Sequence, residues 1–392
     1  MEGICGICLD NFALPKILNS GLTLCSNCAN RLIWCPETRV KLTAKYCNNF
    51  IERFFRYQIE RINDIETYSD EEIKLIIDRC VDLEYVIIRG MRMIHILCQQ
   101  RSLELIKYLV NKGVELNCAD AFGDRPIHYI CSRGDNSIEI FKYFVELDGV
   151  DLECTNNDGW RPIHSACWLS ESGLEIIKIL AGKNVDLECT YEYGKRLIHM
   201  ACEMDDLPLV KFLVEMGVNL ECKDHGGRRP IHIACEYGEF RMPDVIKYLI
   251  KKGVNIECKD RNGRRPIHAI CANIFDNTKM DAVKFLIKRV NLNCVDRRGF
   301  YPLHIACGCN SLRTVKLLVK GGARLDCTDS LGTQPIHIAC NHGDVALGLV
   351  KFLTGNGADI NAIDYRSGMQ PIHIAATKAP KIYEFFKAYG GL

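Results

Sequence analysis

The order of apolar and polar residues sets a simple rhythm. A short apolar run, such as Ile267 to Cys271, is followed after a polar break by an amphipathic stretch such as Ala282-Val283-Lys284-Phe285-Leu286-Ile287. The first predicts a short helix and the second a longer one with a single buried face. Before the first helix, Gly263 after Asp260-Arg261-Asn262 predicts a tight hairpin turn, and Pro266 sits where a helix begins. Gly217, Gly253 and Gly322 end second helices. The pattern repeats. Histidines fall at 95, 128, 164, 199, 232, 268, 304, 337 and 373, and every gap is between 33 and 36 residues. One helix pair cannot bury its apolar face alone, so neighbouring units must stack.

A second phrase keeps the same beat: Val150-Asp151-Leu152-Glu153-Cys154, then Val185-Asp186-Leu187-Glu188-Cys189, then Val218-Asn219-Leu220-Glu221-Cys222. Val81-Asp82-Leu83-Glu84-Tyr85 matches it in phase, so Glu71 to Arg79 reads as the second helix of a half repeat. Ile382 to Tyr389 reads as the last second helix. Some units are longer, and extra residues such as Phe240-Arg241-Met242-Pro243 and Phe275-Asp276-Asn277-Thr278 fall between the two helices. The repeats occupy residues 69–392, behind a non-repeating segment 1–40 and a linker 41–68. In the linker Phe50, Ile51, Phe54, Phe55 and Ile59 recur at helical spacing. That amphipathic helix packs on the first repeats or forms a dimer seam, which leaves the oligomeric state open.

Composition narrows the class. The net charge of +1 gives no global field toward nucleic acid or membrane, so a charge-driven partner must meet a local patch. No apolar run is long enough to span a bilayer. Cysteine is abundant, with 23 residues, yet most recur at fixed repeat positions and no signal peptide is visible. These features predict free thiols in a reducing compartment, cytoplasm or nucleus. The cysteines at 98, 131, 167, 202, 235, 271, 307 and 340 take a small apolar helix position that Ala376 fills in the last unit. No nucleotide loop, serine triad or carboxylate pair stands out, and no catalytic residue is expected in the repeats.

The phrase Arg161-Pro162-Ile163-His164, repeated as Arg229-Pro230-Ile231-His232 and Gln334-Pro335-Ile336-His337, resembles the Thr-Pro-Leu-His signature of ankyrin repeats. Arginine mostly replaces threonine, at 125, 161, 196, 229 and 265, and Leu197 replaces the proline of one unit. The resemblance covers roughly residues 70 to 392. It implies a mostly α solenoid of helix-turn-helix plus β-hairpin units that binds proteins. It also implies that each histidine bonds to the neighbouring repeat rather than to a metal.

The first forty residues carry Cys5-x2-Cys8 and, sixteen residues on, Cys25-x2-Cys28. Paired thiolates at this spacing can close a tetrahedral site for one zinc ion. Cys5-Gly6-Ile7-Cys8-Leu9-Asp10 and Cys35-Pro36-Glu37-Thr38-Arg39 resemble stretches of a RING finger. Of the positions for that family's second zinc, held here by Ser20, Leu22, Cys35 and Thr38, only Cys35 is a ligand type, so one ion is expected. By this resemblance Ile7, Trp34 and Pro36 would meet a ubiquitin-conjugating enzyme and Arg39 would hold ubiquitin. Two functions stay open. One is a ubiquitin ligase whose repeats recruit a substrate, and the other is a non-enzymatic adaptor whose zinc module is structural or dimerising.

The hairpin tips change character along the chain. Trp160 and Tyr193 mark the early tips, and Arg228, Arg261, Arg264, Arg297 and Arg298, with Phe300, mark the middle ones. Arginine and exposed aromatics dominate binding hot spots. They predict a protein partner with an acidic segment, unless the arginines are spent on Asp224, Asp260 and Asp296.

Overall fold

The computed structural model describes residues 70–390 except 80–82, 85, 88, 101, 134–137, 170, 238–243 and 273–279, together with four short strands before residue 26. Those strands are β1 (Gly3–Ile4), β2 (Asn11–Phe12), β3 (Pro15–Ile17) and β4 (Thr23–Cys25). β1 pairs antiparallel with β2 and β3 with β4. The chain divides into two compact units, Met1–Asp186 and Leu187–Leu392.

The first unit holds α1 (Asp70–Arg79), α2 (Met93–Gln100), α3 (Leu103–Val110), α4 (Pro126–Cys131), α5 (Ile138–Phe144), α6 (Pro162–Cys167) and α7 (Glu171–Gly182). The second holds α8 (Leu197–Glu203), α9 (Leu207–Glu215), α10 (Pro230–Tyr237), α11 (Asp244–Lys251), α12 (Pro266–Ala272) and α13 (Met280–Ile287). It continues with α14 (Pro302–Gly308), α15 (Leu312–Lys320), α16 (Pro335–Cys340), α17 (Leu347–Gly355), α18 (Pro371–Lys378) and α19 (Pro380–Tyr389). Within each unit first helices pack on first helices and second on second, as α8 does on α10 and α11 on α13. The extra residues of the long repeats fall between α10 and α11 and between α12 and α13.

Each first helix starts in the same way. Proline opens it in all but α2 and α8, and the N–H of the residue before the helix donates to the histidine at its third position. Arg161 N–H reaches His164 Nδ1 at 3.0 Å and Arg265 N–H reaches His268 Nδ1 at 3.1 Å. The other ring nitrogen faces the next repeat: His232 Nε2 lies 3.2 Å from the Arg264 carbonyl, and His268 Nε2 lies 3.2 Å from that of Phe300. With Nδ1 accepting, Nε2 must carry the proton and donate, so the imidazole is neutral. α8 begins at Leu197 without proline, because the Arg196–His199 bond alone sets its first turn.

The core between the layers is aliphatic, with Phe141, Phe144 and Phe386 its largest side chains. The first-helix cysteines lie in it, as do those that end the Leu-Glu-Cys phrase, such as Cys154 and Cys222. The sixteen described cysteines are all free thiols, and every one but the half-buried Cys309 is buried. Burial pushes the thiols of Cys222 and Cys327 up to about 12, far from reactive thiolates.

A second tie between repeats runs through the Leu-Glu-Cys phrase. Glu221 accepts from the Arg229 guanidinium in its own repeat and from the Asn255 N–H of the next, at 2.7 Å. Glu257 does the same with Arg265 and the Asn291 N–H. In the first unit Glu153 joins Arg161 and the Asp186 N–H. Asn293 takes over where the arginine gives way to Tyr301. Its amide donates to the Gly322 carbonyl and accepts from the Arg324 N–H. At 161, 196, 229 and 265 the arginine in place of the family's threonine is therefore the partner of a glutamate eight residues earlier, whereas Arg125 pairs with Asp151.

Candidate functional site

The finger between successive repeats is built on an aspartate. In the second unit Asp260 Oδ1 accepts the N–H groups of Asn262 and Arg264, both at 2.8 Å, and Asp296 Oδ1 those of Arg298 and Phe300, both at 2.9 Å. Such a finger closes on one bond from the aspartate N–H to a carbonyl four residues on, as from Asp260 to Arg264 at 2.9 Å; Asn156 and Tyr191 take the aspartate's place in two fingers, and the last spans five residues, from Asp364 to Met369. The next tip donors are spent on the neighbouring finger, with Arg261 N–H bonding to Gly226 and Arg297 N–H to Asn262. The expected β-hairpins are thus turns without a continuous ladder among the described residues, and Thr190 and Arg196 form an isolated bridge. Close approach of the fingers requires glycine at the tip. Gly263 has φ +74°, and a Cβ there would lie 3.0 Å from the Arg297 nitrogen.

Two of the five tip arginines are engaged within the protein. Arg228 is half-buried, with Nε 2.8 Å from Asp224 Oδ2 and Nη1 3.0 Å from Glu236. Arg264 is held more loosely, its Nε 3.8 Å from Asp296 Oδ2. Arg261, Arg297 and Arg298 are exposed and make no ion pair with any described residue. Beside Arg228 and Arg264 lies a hollow of about 430 Å³ bordered by Tyr193, Glu236 and Asp260. Ala269 and Ala272 leave it room. Tyr193 is 71% exposed and its backbone is left-handed, with φ +56°. Phe300 is half-buried, its ring edge-on to His304. The hollow and the fingers beside it thus bring together charged, aromatic and small groups.

In the first unit Trp160 is half-buried and stacks on Trp168, with centroids 6.3 Å apart and planes at 17°. Trp168 is 58% exposed, and sequence reasoning passed over it because it follows a first helix and is not part of a finger. Leu331 and Tyr365, 44% and 79% exposed, were also missed. Their signal was available: each follows a finger aspartate by one or two residues, as Arg261 and Arg297 do.

Cys5, Cys8 and Cys28 lie outside the described residues, as do Ile7, Trp34, Pro36, Arg39 and the linker helix; for Cys25 the backbone alone, in β4, is described. Among the described residues no three histidine, cysteine or carboxylate side chains gather as a metal site, and no helix is long and apolar enough to cross a membrane.

Comparison with known proteins agrees with this architecture. The family model described as ankyrin repeats in three copies matches residues 94–191, 167–260, 239–329, 270–364 and 310–390. Among solved structures the chain is similar to the ankyrin repeat domain of Bcl-3, described as a unique member of the IkappaB protein family. The identity is 23% and the TM-score 0.47, over 59% of this chain and 100% of that one. No curated protein matches in sequence. With its repeats matched from residue 94 to 390, the chain belongs to the ankyrin-repeat family.

Proposed function

We propose that this protein-binding scaffold captures an acidic segment of a protein partner along the finger edge of its second unit. The observation that carries this reading is the set of exposed, unpaired guanidinium groups on Arg261, Arg297 and Arg298, on adjacent fingers. Arginine binds carboxylates through two parallel bonds, and charges a Debye length of about 8 Å apart still reinforce one another at physiological salt. Tyr193 and Phe300 supply apolar contacts beside them. Replacing all three arginines with glutamate should abolish capture of partners from cell lysate, and wild-type capture should weaken as salt rises. Unchanged capture with unchanged salt sensitivity would place the binding surface elsewhere.

The spacing of Cys5-x2-Cys8 and Cys25-x2-Cys28 supports a second layer, in which a one-zinc RING-like module holds a ubiquitin-conjugating enzyme while the fingers hold its substrate. Native mass spectrometry should then report one zinc per chain, lost in Cys25→Ser, and the purified chain should form ubiquitin conjugates with active conjugating enzymes. Zinc without conjugates would leave the adaptor function with a structural module.

A further inference from the structure

The near-neutral chain hides an uneven surface. Three neighbouring second helices, α11, α13 and α15, with the residues that end them, carry nine cations against two carboxylates. On the first, Lys247, Lys251 and Lys252 face Asp244; on the second, Lys284, Lys288 and Arg289 face Asp281. The third has Arg313, Lys316 and Lys320 and no acid at all. The helices on either side differ. α9 carries Lys211 against Glu215, with Asp206 just before it, and α17 carries Lys351 alone. The charge is therefore a local patch within the second unit.

Its details narrow the ligand. Eight of the nine cations are exposed, all but Lys247. The carboxylates are used locally, Asp244 by Lys247 at 3.7 Å and Asp281 by Lys284 at 3.0 Å. Lys251, Lys288 and Lys320 have no ion pair with any described residue. Cations cap the aromatic rings: Lys252 lies 5.3 Å from the Tyr248 centroid, Arg289 3.7 Å from that of Phe285, and Lys316 5.6 Å from that of Phe352. Covered rings cannot stack on unpaired bases. No large apolar side chain is exposed on these helices among the described residues, so nothing is available to insert into a bilayer. No asparagine or glutamine is present on them to pair with adenine.

The charges form a raster. Along each helix they repeat about every 6 Å, the rise of four residues. Across the helices they repeat about every 8–10 Å, the usual packing distance. An extended acidic peptide would meet one row of such a raster. A duplex carries a phosphate for about every 1.7 Å of axis, so a stretch of roughly 20 Å, the width of three helices, offers about a dozen. Lysine suits this task because it is a point charge that needs no fixed geometry.

We propose that the face formed by α11, α13 and α15 binds the phosphate backbone of duplex nucleic acid without reading its sequence. It is separate from the finger edge, so the scaffold could hold a protein and a nucleic acid together.

The test uses the full chain, a labelled 20-base-pair DNA duplex and fluorescence anisotropy. With six phosphates neutralised, log K should fall against log salt with a slope of about −5. A second duplex of unrelated sequence should bind equally. The triple variant Lys251→Glu, Lys288→Glu, Lys320→Glu should bind at least about 100-fold more weakly at low salt, with a slope shallower by about 3. Circular dichroism should show it folded, since all three side chains are exposed. The glutamate variant of Arg261, Arg297 and Arg298 should bind the duplex as wild type does, which separates this surface from the finger edge. Absence of duplex binding at low salt would overturn the proposal, as would full binding by the triple variant. So would vesicles containing phosphatidylserine binding through these lysines while duplex binding survives their reversal, a result that would assign the patch to a membrane.

Discussion

Acidification from pH 7 to pH 5 should markedly destabilise the repeats. Burial holds the imidazoles of His95, His128, His199, His232, His268 and His304 below their ordinary value near 6.5, and brings His199 and His268 to about 4. The carbonyl each one bonds opposes the shift and does not overcome it. In the unfolded chain each imidazole takes a proton below about pH 6.5, whereas the folded sites hold it off to lower pH, those of His199 and His268 until about pH 4. The unfolded state therefore binds more protons in this window, and stability falls as the pH drops through it. For His199 and His268 the difference is on the order of 3 kcal/mol each at the acid end. The other four imidazoles shift in the same direction and add to this loss. Urea midpoints followed by far-UV circular dichroism should drop steeply between pH 6.5 and 5. Asp326, kept low by its bond to Arg324, begins to act only below about pH 4 and cannot mimic this. A midpoint that stays level between pH 6.5 and 5 would show that the histidines accept protons where they stand.

Much of this arrangement was legible in the sequence, because a solenoid repeats its instructions. The histidine beat, the proline before most of them and the glycines after second helices, such as Gly217, Gly253 and Gly322, located the helix pairs. Ala376, standing where other first helices have cysteine, pointed to packing as the reason for that series. What escaped notice depends on pairs set by the fold. Glu221 and Arg229 are eight residues apart on either side of a finger, so no single helix or strand links them. They meet because the finger turns the chain back on itself. Glu221 also reaches the Asn255 N–H, 34 residues on, which only stacking brings near. For the same reason the tip arginines looked alike in sequence, although Arg228 is tied to Asp224 and Glu236 while Arg261 is free. The patch on α11, α13 and α15 was invisible for another reason. Its lysines are spread over 74 residues and cancel in the total charge, and they form one surface only when three repeats stack.

Removing the carboxylate of Asp224 should destabilise the second unit by about 3 kcal/mol, the range for breaking a buried ion pair by losing one partner. Its side chain is fully buried. Oδ1 accepts the Arg228 N–H at 2.7 Å and Oδ2 the Arg228 Nε–H at 2.8 Å, so one residue fastens both the backbone and the side chain of the same arginine. Asp224→Ala frees both donors, and only the side-chain guanidinium keeps another acceptor, Glu236. Asp224→Asn separates the two roles. Its amide oxygen can still accept the backbone N–H, while its NH₂ group turns a donor toward Nε in place of the anion. The asparagine variant should therefore retain slow amide exchange at Arg228 and lose about half the stability that the alanine variant loses. Both variants loosen Arg228, yet Arg261, Arg297 and Arg298 stand on fingers built on Asp260 and Asp296 and should keep their partner. Equal stability losses for alanine and asparagine, by denaturant melts, would mean that the charge alone holds this finger. Loss of partner capture in the asparagine variant, with the fold intact, would instead put Arg228 itself in the binding surface.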